Sequence, residues 1–576
     1  MAHHPSPITR YPNATVLFIV VVSMLLATQG LNMTDDGFLL TTYQQVFSDP
    51  SSVSYFFLYY WVDVLGGLWN SLFSSWGIYG FRLLECLVMG LTVFVAIRLL
   101  RHYFHLRIVC IGILLVFLLT KEVGVLHYNT LSALLTLVVV AFLMKALTMH
   151  RWLYMLLAGI AMGMNIFVRL PNAALSVLIL VLIPYYIYSH QGKRTLIFLV
   201  TAIMGTCLGI GVTWLSMLLF GHTDSFLFAL QSGFSIFGHA DSSHSSHHLL
   251  SVIANDVWMM AKQFLLFGFI LLPMTRWFSP LSSAFQNKWT ARVVGIVFIL
   301  IALILFKHFL YPVYALNMLV VVACIYTAVH RKDEPAVVYL AVLSLLTTLF
   351  MPFGCDFGLL NMQQCSLWLG GAFVVYMFFN LLSESTNNRS EAKRMGSYLL
   401  GIYAVVLVGK MLYGYAYPVF YENGNRLQTR YSVNWPHCNV LTTQENAQEL
   451  VTVLQQMSQV VKADEEVLVY PYSPMLYYLT STRPYLRNPL PWIYNDQLFQ
   501  EQLLESEKRA TKLPVVVWQK SRLNAWKTPD ADWNNPNSPE TYDSHTQQKR
   551  YLLDYLQRNH YRVVWQNQLF QILSPQ

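Results

Sequence analysis

The stretch from Ala14 to Phe38 reads ATVLFIVVVSMLLATQGLNMTDDGF. Its first part, Ala14–Gly30, is an apolar run long enough to cross a bilayer as a helix. Asp35 and Asp36 follow side by side, where that helix would leave the membrane. Ionisable side chains at such a place are costly to hold, so we interpret the pair as functional. The simpler alternative is that Asp35 caps a helix beginning near Asp36, and the sequence leaves both open.

The composition extends this interpretation to most of the chain. The sequence has 576 residues, of which 55% are hydrophobic and 11% charged, and its mean hydropathy is +0.44. Soluble proteins carry roughly 25% charged residues. Apolar runs of about 18 or more residues recur over the first 416 positions. We therefore predict a polytopic α-helical membrane protein with about 13 transmembrane helices.

The distribution of charge predicts a topology. Most Lys and Arg clusters fall on one side if the N-terminus is cytoplasmic, and the net charge of +8 then reflects cytoplasmic loops rather than nucleic-acid binding. Ala14–Gly30 has only Arg10 before it and no small-residue cleavage site after it, so we expect a retained helix. This topology places the C-terminal tail on the same side as Asp35.

Two domains are predicted, a transmembrane domain over 1–417 and an extracytoplasmic α/β domain over 418–576. In the second, apolar runs shorten to strand length and alternate with helical segments. The predicted strands are Val467–Tyr470, Pro514–Trp518 and Tyr561–Trp565, and the predicted helices are Thr443–Lys462, Asp496–Ala510 and Thr546–Asn559.

Other polar residues are predicted at the same membrane edge as the acid pair. Arg169 ends the fifth predicted span, and Asp356 lies in a glycine-bracketed turn. Each has a simpler alternative, since an edge cation is often an interfacial anchor and a glycine pair often marks a tight turn. The remaining candidates are the turn residues Lys121, Glu122, His127, Tyr128 and Asn129, and the cations Arg82 and Lys307. For Lys121, Arg82 and Lys307 we expect the role of an interfacial anchor. Helix capping by Asn129 and Thr130 is the alternative to a binding role for Tyr128 and Asn129.

The outer loop from His222 to Asp256 is rich in histidine and raises the question of a metal site. His239 and His244, with Asp36, are weak candidate ligands, because the spacing fits no zinc signature. A loop that covers the site is the favoured alternative. Cys355 and Cys365 flank the Asp356 turn, and a disulfide between them is conceivable. A divalent cation is left open as a cofactor.

An Asp-Asp pair just after the first helix, followed by the aromatic-rich region Thr41–Ser75, resembles the GT-C glycosyltransferase superfamily. The number of spans and the outer C-terminal domain are similar to its PMT/ArnT-like branch, the mannosyl and aminoarabinose transferases. The resemblance implies a polyprenyl-phosphate sugar donor and a base at Asp35 or Asp36. It also implies residues that bind the donor phosphate or sugar: Arg169 first, then Lys121, Glu122, His127, Tyr128, Asn129 and Asp356.

The resemblance implies an inverting glycosyltransferase that acts at the outer face of the bacterial inner membrane. The acceptor is a glycan, a lipid or a protein hydroxyl, and the other partners are membrane lipids. A transporter or lipid flippase is the competing class, since it also keeps charges inside the membrane. Such proteins usually show repeated halves, which we do not find in this sequence. A polymerase or ligase using lipid diphosphates is a third possibility.

Overall fold

The computed structural model describes residues 12–238, 245–272, 288–386, 391–416, 422, 424–521, 525–526 and 546–576. These residues are mostly helical. The α-helices are α1 (Pro12–Leu26), α2 (Asp35–Gln45), α3 (Tyr60–Phe73), α4 (Gly77–Leu100), α5 (Leu106–Phe117), α6 (Tyr128–Met149), α7 (Trp152–Ile166), α8 (Leu182–Ser189), α9 (Gly192–Phe220), α10 (Thr223–Gly238), α11 (Ser246–Leu271), α12 (Lys288–Phe309), α13 (Pro312–His330), α14 (Pro335–Phe350), α15 (Leu359–Met362), α16 (Gly370–Thr386), α17 (Glu391–Gly414), α18 (Gln444–Val460), α19 (Met475–Thr480), α20 (Asp496–Arg509) and α21 (Thr546–Arg558). The 3₁₀ helices are Pro50–Tyr59, Ser74–Trp76, Leu170–Val181 and Pro491–Ile493.

Several of these helices are long and apolar enough to cross a membrane. In the described ranges there are 7 such segments. They are Pro50–Leu100, Tyr128–Met149, Leu170–Ser189, Gly192–Phe220, Ser246–Leu271, Pro312–His330 and Met395–Gly414. Shorter apolar helices accompany them, including Leu106–Phe117 and Trp152–Ile166. The predicted helical, membrane-type architecture is confirmed at this level.

Helices α7 and α9 pack in a manner typical of membrane helices. A Cβ atom added at Gly159 or Gly163 would lie 2.3 Å from a backbone oxygen of α9, and one added at Gly205 would lie 2.3 Å from a backbone oxygen of α7. Small residues spaced four apart on facing helices allow this close backbone approach within a bilayer. The opposite face of α9 exposes large apolar side chains such as Leu219. In water such a surface would be unfavourable, whereas lipid covers it without penalty.

The segment after the first helix folds into short elements rather than one long span. Helix α2 has 11 residues, too few to cross a bilayer. The 3₁₀ helix Pro50–Tyr59 then returns along it, and the ring of Phe56 stacks on that of Phe38 with centroids 4.2 Å apart. This stacking holds the 3₁₀ helix against α2.

The C-terminal tail forms a small mixed sheet with flanking helices. Strands β3 (Glu466–Tyr470), β4 (Arg483–Pro484), β5 (Val515–Gln519), β6 (Tyr561–Gln566) and β7 (Phe570–Pro575) run in the order β4-β3-β5-β7-β6. The β3 strand is parallel to β4 and β5, while β7 is antiparallel to β5 and β6. Strands β1 (Tyr431–Ser432) and β2 (Leu441–Thr442) form a separate antiparallel pair.

The predicted strands and helices of the tail correspond to β3, β5 and β6 and to α18, α20 and α21. The sequence did not predict the other strands or α19. Strand β7 lies between β5 and β6, so it completes the sheet even though its sequence lacks a clear apolar alternation.

The tail packs directly against the segment that carries the acid pair. Met475 N donates to Met33 O at 3.1 Å, and Thr34 Oγ1 donates to Tyr472 O at 2.9 Å. A Cβ atom at Gly37 would lie 2.3 Å from Met475 N, so only glycine permits this approach. One apolar core runs from Leu31 and Phe38 of this segment into the sheet of the tail. The position of Asp35 is therefore fixed jointly by the helices and the tail.

Candidate functional site

The acid pair occupies the first turn of α2. Asn32 Oδ1 accepts hydrogen bonds from Thr34 N at 3.1 Å and from Asp35 N at 2.9 Å. Thr34 occupies the capping position, and its hydroxyl is directed to Tyr472 instead of the helix. The alternative in which Asp35 caps the helix is therefore wrong, because Asn32 supplies the acceptor that the helix start needs. Neither carboxylate is required for capping.

Asp36 is held in a buried ion pair. Arg82 of α4 donates to Asp36 Oδ2 from Nη2 at 2.7 Å and from Nε at 3.2 Å. The two side chains are only 1% and 4% exposed. Asp36 Oδ1 accepts from Val125 N at 3.1 Å, so both of its oxygens are engaged. Asp36 thus links α2 to α4 and to the loop before α6.

Arg82 is fixed by further bonds at the end of the first helix. Its Nη1 donates to Ala27 O at 3.0 Å and Gln29 O at 3.1 Å, and its Nη2 donates to Gly30 O at 2.8 Å. These carbonyls follow α1, where no further helical turn satisfies them. The expectation that Arg82 is an interfacial anchor is wrong, because its guanidinium is buried and fully engaged.

Asp35 faces a different environment. It is half-buried and lines a polar cavity of about 130 Å³ together with Asp36, Glu85 and Glu122. Burial raises the pKa of Asp35 to about 7, and the charges of Asp36, Glu122 and Asp356 contribute to the increase. The side chain of Asn32 opposes the increase by hydrogen bonding. Asp35 therefore combines a raised pKa with the access to the cavity that a base needs, whereas both carboxylate oxygens of Asp36 are already engaged.

The turn before α6 forms another wall of this acidic cavity. Glu122, His127 and Asn129 line it, as does Thr130. His127 Nδ1 accepts from Asn129 N at 3.3 Å and so caps α6, the role that the sequence had offered to Asn129 and Thr130. Burial and the charge of Arg169 lower the pKa of His127 to about 3. His127 is therefore neutral and does not offset the negative charge of the cavity.

Glu85 is a site residue that sequence reasoning missed. Its Oε1 accepts from Thr130 Oγ1 at 2.5 Å and its Oε2 accepts from His127 N at 3.2 Å. Glu85 therefore anchors the start of α6 to α4. Arg82 and Glu85 are three residues apart in an apolar helix, which places them on one face. Two charges in such a helix were the signal that could have identified both.

A second, larger cavity of about 580 Å³ lies next to the first, and its wall is mainly apolar. Aliphatic and aromatic side chains from α10, α11 and the 3₁₀ helix Pro50–Tyr59 line it. They include Leu58, Leu230, Phe234, Leu249 and Ile253. Tyr128, Arg169 and Asp356, all predicted from the sequence, belong to this cavity and not to the acidic one. The apolar lining was not predicted from the sequence.

Arg169 is the basic residue of the larger cavity. Its guanidinium donates to Asn172 Oδ1 at 3.2 Å, Cys355 Sγ at 2.6 Å, Met351 O at 2.5 Å and Phe353 O at 3.1 Å. These bonds use four of its five N–H groups. None of the carboxylates in the described ranges forms an ion pair with it. The interfacial-anchor alternative is wrong, because Arg169 is 3% exposed and buried in the cavity wall.

Asn361 belongs to the walls of both cavities. Its Nδ2 donates to Asp356 Oδ1 at 3.3 Å, and its backbone oxygen accepts from Asn129 Nδ2 at 3.3 Å. Through its side chain and its backbone oxygen together, Asn361 therefore connects the turn at Asp356 with the start of α6. Asn361 is a second site residue that was not predicted from the sequence.

Other predicted residues are not brought into the site. Lys121 is exposed and lines neither cavity. Its side chain lies against Gly414 of α17. Cys355 and Cys365 are both free, so the disulfide considered from the sequence is wrong. His239 and His244 lie outside the described residues. Within the described ranges, no group of three His, Cys, Asp or Glu side chains is arranged to hold a metal ion. Asp36 in particular is occupied by Arg82 and Val125.

Comparison with known proteins gives no further assignment. No family model matches this sequence, and no curated protein resembles it significantly. Function must therefore be inferred from the two cavities themselves.

Proposed function

We propose that this protein is an inverting glycosyltransferase of the GT-C type with about 13 membrane spans. It transfers a sugar from a polyprenyl-phosphate donor to an acceptor hydroxyl at the outer face of the bacterial inner membrane. One observation carries the proposal: a carboxylate of raised pKa in a polar cavity lies next to an apolar cavity that contains a buried arginine. A lipid-linked sugar needs both environments side by side.

In the proposed reaction, Asp35 accepts the proton of the acceptor hydroxyl. The resulting oxygen nucleophile attacks the anomeric carbon of the donor from the face opposite the phosphate. The bond between that carbon and the phosphate oxygen breaks, and the electron pair leaves with the polyprenyl phosphate. Attack from the opposite face inverts the configuration of the anomeric carbon. General-base catalysis of this kind contributes about 10²–10⁴-fold to a rate.

Arg169 has the position to bind the leaving phosphate. Its guanidinium stays charged, and one N–H group of Nη1 is not used by the bonds described above. The large apolar cavity around it suits a prenyl chain, because sites for apolar ligands are lined by hydrophobic and aromatic side chains with few polar groups. Tyr128 and Asp356 line the same cavity as Arg169, and in this proposal they contact the sugar.

The decisive experiment measures sugar transfer by purified protein in lipid nanodiscs supplied with polyprenyl-phosphate sugars and candidate acceptors. Asp35→Asn keeps the shape of the side chain but removes the base, so transfer should fall by about 10²–10⁴-fold. Asp224→Asn is the matched control, since Asp224 is exposed on α10 and lines neither cavity. Wild-type transfer by Asp35→Asn would refute the mechanism. Substrate movement across the bilayer without transfer would favour the transporter class.

A further inference from the structure

A third recess, which we call the α17 groove, lies between α5, α13, α16 and α17. Its volume is about 240 Å³, and all of its lining side chains are apolar; they include Ile111, Leu115, Val375, Phe379, Ala404 and Val408. It shares no lining residue with either cavity of the candidate site. All four of its helices are among the apolar, membrane-type helices, so the groove opens to the hydrocarbon of the bilayer.

The groove is recessed from the general lipid-facing surface. Leu319 and Leu407 are buried in it, whereas Ile111 and Phe379 at its rim are 46% and 53% exposed. An apolar recess left empty loses packing contacts, and a hydrocarbon chain from the bilayer would restore them. The shape and the lining therefore suit one chain of a lipid.

Two positive charges lie beyond the end of the groove that is nearer the acid pair. A Cβ atom added at Gly414 would lie 2.8 Å from Lys121 Cε, so the Lys121 side chain lies against the last turn of α17. Arg426 Nε donates to Tyr415 O at 2.7 Å, at the next residue along the chain. Within the described residues, the ammonium group of Lys121 has no carboxylate partner.

Arg426 also has donors to offer at this end of the groove. Its Nη1 donates to Gln29 Oε1 at 3.2 Å and its Nη2 donates to Lys121 O. With the Nε bond, contacts within the described residues use three of its five N–H groups. The charge of Glu122 faces Arg426 and offsets part of its charge. Two cations and one carboxylate leave a net charge of +1 here.

The spacing between these charges and the groove matches one leaflet of a bilayer. Ala404 in the groove and Gly414 beside Lys121 are ten residues apart on α17. Ten residues of helix extend about 15 Å along the axis. The hydrocarbon core is about 30 Å thick, so one leaflet contributes about 15 Å. A lipid with its phosphate at Lys121 would therefore place the end of its chain in the groove.

We propose that the α17 groove binds an anionic phospholipid, with one acyl chain in the groove and the phosphate group at Lys121 and Arg426. Charge complementarity supports this occupant, because lysine and arginine at a membrane surface attract anionic lipid headgroups. The lipid belongs to the leaflet on the side of the acid pair, since Lys121 adjoins Glu122 of the acidic cavity. It is a ligand separate from the sugar donor, and its binding does not require glycosyl transfer.

The bound lipid would stabilise the contact between α5 and α17. Tyr415 Oη donates to Phe117 O at 3.0 Å and joins these helices near the two cations. A lipid that contacts both helices adds to this connection only in the folded protein. Its binding should therefore raise the free energy of unfolding as its concentration increases.

Native mass spectrometry of the purified protein in detergent tests the proposal, with phosphatidylglycerol and phosphatidylcholine of identical chains as the probes. Wild-type protein should bind one phosphatidylglycerol in preference to phosphatidylcholine. Lys121→Gln should weaken phosphatidylglycerol binding about fivefold, because it removes one positive charge at the headgroup, and should leave phosphatidylcholine binding unchanged.

A second pair of variants tests the groove itself. Ala404→Trp places a large side chain in the groove and should weaken binding of both lipids about tenfold or more, since losing contact with two methylene groups already has that effect. Val405→Trp is the matched control, because Val405 is the next residue of α17, is 72% exposed and does not line the groove. It should bind both lipids as wild type does.

Three results would overturn the proposal. Equal phosphatidylglycerol binding by Ala404→Trp and Val405→Trp would show a general lipid-facing surface without a specific site. Unchanged phosphatidylglycerol binding by Lys121→Gln would remove the headgroup contact, and this exposed substitution keeps the test valid if Ala404→Trp does not fold. Displacement of phosphatidylglycerol by equimolar polyprenyl phosphate would assign the groove to a prenyl lipid instead. None of these results bears on sugar transfer, so the glycosyltransferase proposal stands or falls separately.

Discussion

The two adjoining cavities differ in almost every physical property. The smaller one, about 130 Å³, is lined by carboxylates, amides and a neutral histidine, whereas the larger one, about 580 Å³, is lined mainly by apolar side chains around Arg169. Asn361 lies in both walls. The carboxylates and the buried arginine are therefore held apart, in two cavities that share one wall residue. The two cavities together fit a ligand with one polar end, which lies beside carboxylates, and one apolar end.

The largest expected effect concerns the ion pair in the wall of the acidic cavity. Arg82→Met leaves Asp36 buried without a counter-charge, so the free energy of unfolding should fall by about 3–5 kcal/mol. The double variant Arg82→Met, Asp36→Leu removes both charges and should recover much of that loss. Denaturant unfolding in detergent micelles measures all three proteins. A double variant no more stable than Arg82→Met would show that the arginine acts through its carbonyl contacts instead.

The next effect distinguishes the two cations that the sequence predicted for the donor phosphate. Arg169→Gln should reduce transfer about 100-fold, because it removes a buried positive charge beside the leaving group. Lys121→Gln should leave transfer unchanged, since Lys121 is exposed and lines neither cavity. Steady-state rates over a range of donor concentrations test both variants. Equal losses in the two would mean that general surface charge, and not the apolar cavity, determines donor binding.

Much of the fold was predictable from local sequence. Long apolar runs predicted the long helices. Short apolar runs of strand length, separated by helical segments, predicted β3, β5 and β6. The two-residue strand β4 was not predictable, because pairing with β3 and not its own sequence makes it a strand. The same holds for β7, which completes the sheet between β5 and β6.

The site was predictable as a set of residues but not as an arrangement. The adjacent acids were found from position alone, yet the sequence could not separate their environments. That distinction depends on Arg82, which lies 46 residues from Asp36 along the chain. Likewise, Asn361 and Gln364 line the acidic cavity only because their loop folds against α6. Contacts distant in sequence leave no local pattern to detect.

The smallest expected effect is a pH dependence that belongs to the acidic cavity alone. Burial, with the charges of Asp36, Glu122 and Asp356, raises the pKa of Asp35 to about 7. The base must be ionised, so transfer should rise with pH through about 7 and be about tenfold lower at pH 6 than on the plateau. The donor phosphodiester stays ionised throughout this range, and His127, with its pKa lowered to about 3, does not titrate there.

Deprotonation of Asp35, which should increase transfer, should decrease the stability of the folded protein. Since the pKa of Asp35 is higher in the folded protein than its ordinary value of 3.8, the folded state binds the proton more tightly. The stability that this proton provides is present at low pH and is lost as pH rises through about 7. Asp35→Asn does not titrate, so its stability relative to wild type should increase between pH 5 and pH 8. A relative stability that stays constant over this interval would mean that the pKa of Asp35 in the folded protein lies below about 5.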